Sequence, residues 1–228
     1  MDAPRRLIVN ADDFGLCAAV NAGVVEAHER GIVTSASLMV GREAAAEAAA
    51  YARANRALGV GLHVDLGEWS YDGGAWVALF EVAEDEIEAE VARQLGRFEA
   101  LVGRLPTHLD SHQHVHLREP ARSAVAAAGN RLGIPVRHLG RIAYVGDFYG
   151  QTDNGEPLPD LISAVALVRL LDALPPGTAE LACHPANGRV EGAYGRERER
   201  ELAALCAPEV RRALDTRAIT LCSFDELR

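Results

Sequence analysis

The sequence predicts an α/β fold: a TIM-like (β/α) barrel, incomplete or distorted, of about seven strands in one catalytic domain covering residues 1–228. Three observations predict it. Short apolar, β-branched runs alternate with stretches of ten or more residues at helical spacing, which is the βα period of a parallel sheet. Asp and His residues gather directly after those runs, where a barrel brings residues distant in sequence to one mouth. The chain, 228 residues and 49% hydrophobic, is long enough to bury one substantial core.

Taken in order, strands are expected at 7–12, 32–40, 58–66, 107–111, 134–138, 180–183 and 219–223, each an apolar run bounded by polar or Gly-containing turns. Helices are expected between them at 18–30, 43–55, 85–102, 119–132, 161–174, 196–206 and 209–216. The clearest carries Ile87, Val91, Leu95, Phe98 and Val102 on one stripe. Two connections, 67–84 and 144–160, are longer than a barrel needs, and long loops in compact domains are commonly functional. They hold Trp69, Tyr71, Trp76, Phe80, Phe148 and Tyr149, flat rings suited to the C–H faces of a sugar or, alternatively, to capping the barrel core.

Composition removes several classes of function. A formal net charge of −10 disfavours a phosphate-backbone partner, so no nucleic acid is expected. All 23 basic residues are Arg, which excludes Schiff-base lysines, PLP attachment and a Walker-type lysine. No G-x-S-x-G elbow is present. No long apolar run and no signal-peptide pattern appears at the N-terminus, so no membrane partner and a cytoplasmic location are expected. Cys17, Cys183, Cys206 and Cys222 are scattered without C-x-x-C spacing and read as buried thiols. Chemistry is left to carboxylates, histidines or a metal.

Four stretches carry such chemistry. Asn10-Ala-Asp-Asp-Phe-Gly15 ends the first strand with adjacent carboxylates, Asp12 and Asp13, of which one can bind a metal while its neighbour acts as a base. An Asp-capped turn is the alternative. Pro106 to His116 places His108, Asp110, His112, His114 and His116 on alternate positions, which share one side while the chain stays extended. Burying so many polar groups is costly unless each is paired, whereas a metal uses neutral imidazole and a carboxylate can orient it. Gly61-Leu-His63-Val-Asp65 and Cys183-His184-Pro185 end the third and sixth strands. His28 and His138 lack such company and read as surface and structural.

These stretches, together with Gly31-Ile-Val-Thr-Ser35 and Phe148-Tyr-Gly150, resemble the YdjC-like carbohydrate deacetylases, the family of chitooligosaccharide (chitin disaccharide) deacetylase. The family's D-S-H-H-H-V-H reads D-S-H-Q-H-V-H here; strand alternation would turn Gln113 away from the ligands. The resemblance implies a divalent metal on Asp13, His63 and His112, with Mg²⁺ by family usage and Zn²⁺ or Mn²⁺ by ligand softness. It also implies Asp12 as general base and His184 as general acid. Asp110, His114 and His116 would stand behind the ligands, and Tyr149 and Trp69 would hold a small N-acetylated carbohydrate substrate. Family habit and the frequency of symmetric dimers favour a homodimer. The competing readings are a metal-dependent phosphoesterase or sugar isomerase on a similar barrel, and a non-catalytic sugar-binding protein. Arg189 is the only basic residue close after His184, which counts against a phosphate site.

Overall fold

The computed structural model describes residues 4–72, 74–192 and 194–227. The chain runs β1 (Arg5–Phe14), α1 (Ala18–Glu29), β2 (Ser35–Leu38), α2 (Ala45–Ala54) and β3 (Gly59–Val64). A hairpin of β4 (Gly67–Asp72) and β5 (Ala75–Glu81) follows, then α3 (Ile87–Val102), β6 (Leu109–Ser111), α4 (Ala121–Leu132) and β7 (Ala143–Val145). The last third holds α5 (Ala164–Ala173), β8 (Gly177–Cys183), α6 (Glu197–Leu205), α7 (Pro208–Thr216) and β9 (Thr220–Leu221).

β1 is central, with its last eight residues buried. A strand covered on both faces reads as a continuous apolar run, and Leu7, Ile8, Val9 and Ala11 satisfy that demand. The strand order is β6-β3-β2-β1-β8-β7, all parallel, with β9 also paired to β1. Helices cover the sheet; the stripe from Ile87 to Val102 on α3 is buried as its spacing predicts. Among the described residues no helix is long and apolar enough to cross a membrane.

Seven strands, the number expected of an incomplete barrel, are present as an open parallel sheet, since no pairing among the described residues joins β6 to β7. Three expectations are corrected. Residues 134–138 form only a bridge, Leu109 to Val136, since Pro135 can donate no ladder hydrogen bond. The strand next to β8 comes instead from the start of the second long connection, as β7. The first long connection is the β4–β5 hairpin, whose β5 is exposed along its whole length. An exposed ribbon leaves no core-facing pattern for periodicity to detect.

The register decides where chemistry can occur. Ala11 pairs with Ala36 and Cys183, Leu38 with Leu62, and His63 with Asp110. Parallel strands all end on the same side, so Asp12, Asp13, His63, Asp110 and His184 reach one rim.

Candidate active site

Asp12 and Asp13 lie where the β1–β2 register slips between Ala11 and Phe14, and Asp13 has a left-handed backbone, φ 64°. Asp is among the few side chains that adopt this conformation readily, and such irregularities re-aim side chains beside functional sites. Both carboxylates are buried at the rim, with different partners. Asp13 Oδ1 lies 3.1 Å from His112 Nδ1 and 3.4 Å from His63 Nε2, while its Oδ2 accepts a 2.6 Å bond from Arg198 Nη2. Burial opposes its charge, but Arg198 and the two imidazoles hold the carboxyl well below the ordinary range. Asp12 accepts from both terminal nitrogens of Arg137, at 2.6 and 2.7 Å, and from Asn10 Nδ2 at 2.8 Å.

Arg137 is the hub beneath the rim. Besides Asp12 it meets Asp110 at 2.9 Å and Glu180 at 2.6 Å, with its own side chain fully buried. Asp110 accepts from His63 Nδ1 at 2.8 Å and from Ser37 Oγ at 2.7 Å. Even so, burial leaves one carboxyl of this cluster high: Glu180 is pushed up to about 7.

The alternating histidines do not stay on one side. β6 stops at Ser111, and Gln113 and His114 turn left-handed at φ 48° and 54°. Only His112 then faces Asp13. His114 bonds the Tyr144 hydroxyl at 3.2 Å rather than a neighbouring imidazole. His116 is buried between the Ser111 hydroxyl (2.7 Å) and the Arg137 carbonyl (3.1 Å), out of reach of a substrate. Gln113 reaches across to the hairpin, bonding the main chain of Trp69. His108 sits beneath the site: Ser37 donates to Asp110, so His108 Nε2 donates to Ser37 (3.0 Å) and its Nδ1 accepts from Thr107 (2.8 Å). Gly61 makes room for this ring, since a Cβ there would lie 2.4 Å from its Cε1.

Burial keeps His108 neutral, with its pKa at about 4. The unfolded chain takes up a proton near 6.5 that the folded one refuses, so this group's contribution is present above pH 6.5 and lost as pH falls toward 4. Between pH 6.5 and 4.5 wild type is expected to lose about 2 kcal/mol more stability than His108→Gln. Urea unfolding at both pH values measures it, and parallel losses in the two proteins would refute it.

On the far wall His184 Nε2 stands 3.9 Å from Asp12 Oδ2, and His184 Nδ1 stands 3.8 Å from Glu201 Oε1. Glu201, on α6, is fully buried and accepts from the His184 main-chain N–H and the Tyr194 hydroxyl. Burial disfavours a charged His184, but Glu201, then Asp12 and Asp13, raise its pKa overall. Tyr149 is partly exposed, stacks on Tyr194 at 4.4 Å and meets the His184 ring edge-on at 5.6 Å.

Among the described residues two donor groups could hold a metal: Asp13, His63 and His112, or Asp12, His63 and Asp110. Arg137 decides between them, because its guanidinium already occupies both carboxylates of the second group. The first group fits by its chemistry. His63 gives its Nδ1 proton to Asp110, so its Nε2 lone pair faces Asp13 Oδ1 at 3.4 Å, an arrangement that needs a cation between them. Without a metal a proton serves: burial opposes it, but Asp110 and Asp13 hold His63 well above its ordinary range.

Residues 6–216 match the family described as YdjC-like protein. The chain belongs to this family. The YdjC-like chain is 33% identical to a chitooligosaccharide deacetylase of Serratia marcescens, over 98% of its own length and 99% of that relative. It superposes with a TM-score of 0.80 on a solved Enterococcus faecalis structure provisionally named a cellobiose-phosphate cleavage protein, at 27% identity and 99% coverage of both chains. A family 4 carbohydrate esterase from Streptomyces lividans, in complex with acetate, shares the fold at 16% identity, with a TM-score of 0.58 over 98% of this chain and 93% of that one.

Sequence reasoning reached the rim but missed what lies behind it. Arg137, Arg198 and Glu201 had no signal of their own. The Glu-Arg repeat at 197–201 reads as a solvated helix face, yet Arg198 is 5% and Glu201 0% exposed. Arg189, singled out for lack of other bases, pairs with Glu191 at the surface.

Proposed function

We propose that this protein is a metal-dependent carbohydrate N-deacetylase, hydrolysing the acetamide of a short N-acetylated sugar to acetate and the free amine. The observation that carries it is the split of the two carboxylates: Asp13 faces two imidazoles, while Asp12, held by Arg137, faces His184 across the rim. The name of the Serratia marcescens relative points the same way.

Asp13, His63 and His112 would hold a divalent metal, whose chemistry when bound is to polarise the acetamide carbonyl and acidify water. Two imidazoles and one carboxylate rank Zn²⁺ and Mn²⁺ above Mg²⁺. Asp12 accepts the proton of the attacking water as its oxygen bonds the carbonyl carbon. Arg137 and Asn10 keep that carboxylate ionised and aimed. His184 hands a proton to the departing nitrogen as the C–N bond breaks, and Glu201 raises the pKa of that imidazole. Tyr149, stacked on Tyr194, offers the ring on which a sugar packs.

A phosphoesterase is disfavoured because Arg137 and Arg198 are both committed to carboxylates, leaving neither for a phosphate. Purified protein incubated with diacetylchitobiose and divalent metal is expected to release acetate and primary amine in equal amounts. Aldose–ketose conversion without acetate would overturn the reading.

Glu201→Gln should lower the pKa of His184, moving the alkaline limb of the kcat profile down by about one unit or more. An unmoved limb in Glu201→Gln would remove Glu201 from this role.

A further inference from the structure

Both tryptophans of the chain, Trp69 and Trp76, lie on the β4–β5 hairpin. Trp69 opposes Ala78 and Tyr71 opposes Trp76, so Trp69, Tyr71 and Trp76 share one face; the last two rings meet at 5.6 Å. A lone two-stranded ribbon is only marginally stable in water, so its position depends on what anchors it. Arg42 anchors its base, bonding Asp65 at 2.8 Å and Glu68 at 3.0 Å beneath Phe80.

The other anchor comes from the active-site turn. The Gln113 carboxamide accepts from the Trp69 N–H and donates to the Trp69 carbonyl, each at 2.8 Å, filling the place of a ladder partner along β4. Gln113 directly follows His112, which faces Asp13. The Trp69 indole folds back over Gly67, where a Cβ would stand 2.4 Å from its Cη2, so fixing the Trp69 main chain also fixes its ring.

We propose that Gln113 is a positioning residue: it clamps the aromatic face of the hairpin beside the rim, as the stacking surface for sugar units beyond the one that reacts. The proposal rests on the deacetylase reading and adds to it a preference for oligosaccharides over the monosaccharide.

Gln113→Asn is the informative variant. Asn tolerates the left-handed backbone at this position but is one methylene too short to span the gap. Against triacetylchitotriose its KM is expected to rise about tenfold, the effect of losing two modest hydrogen bonds, while kcat changes less than twofold. KM for N-acetylglucosamine should not move. Iodide quenching of tryptophan fluorescence, which reports the hairpin alone, should increase, and Gln113→Glu, which keeps only the acceptor, should fall between.

Equal KM losses on trisaccharide and monosaccharide would overturn the proposal, as would unchanged quenching or a loss confined to kcat. If wild type releases acetate from no sugar, the deacetylase reading fails by itself. The clamp is then judged by tryptophan emission on adding triacetylchitotriose: a response weakened in Gln113→Asn supports it, and no response in wild type rejects it.

Discussion

Asp12→Asn is expected to lower turnover by about three orders of magnitude, the scale of a lost general base, while leaving divalent-metal affinity within a few-fold of wild type. Asp12 touches none of the Asp13–His112 contacts; its partners are Arg137, Asn10 and, across the rim, His184. Asn keeps the volume but turns an N–H₂ group toward the Arg137 guanidinium. Arg137 retains Asp110 and Glu180, so the variant should fold with a modest loss of stability. Acetate assays and calorimetric metal titration measure the two quantities separately. If Asp12→Asn lost the metal while Asp13→Asn kept it, the roles of the pair would be exchanged.

Asp13→Asn should do the opposite, weakening metal binding by at least about 100-fold, because the only charged ligand becomes a neutral amide whose single oxygen is held by Arg198, leaving its N–H₂ group toward the imidazoles. The conservative change matters here. Arg198 is buried against Asp13 and Tyr194, and Asp13→Ala would strand its charge at a cost of about 3 kcal/mol or more. Asn still offers that guanidinium an acceptor, so lost metal affinity can be separated from lost fold by comparing calorimetric titration with the thermal midpoint. Wild-type affinity in Asp13→Asn would move the metal away from this group.

What the sequence made legible follows from burial. β1, β3 and β8 are covered on both faces, so they had to be apolar runs, and polar residues at their ends stood out against them. That contrast located Asp12, Asp13, His63 and His184. The same logic failed for residues whose polarity is paired inside the protein. Arg198 and Glu201 belong to a charged repeat that no periodicity separates from solvent-facing helix, and their partners are Asp13 and His184, far away in sequence. The histidine series misled differently: alternation predicts one face only while the chain is extended, and two left-handed residues after His112 send His114 toward Tyr144 and His116 beneath Arg137.

The most direct test of the account is metal reconstitution. Chelator-treated protein should release no acetate from diacetylchitobiose, and activity should return in proportion to added Zn²⁺, Mn²⁺ or Mg²⁺ up to about one equivalent per chain. Asp13→Asn should not be rescued under the same conditions. Full acetate release by the chelated protein would contradict the central claim, since Asp13, His63 and His112 would then have no metal to hold during the reaction.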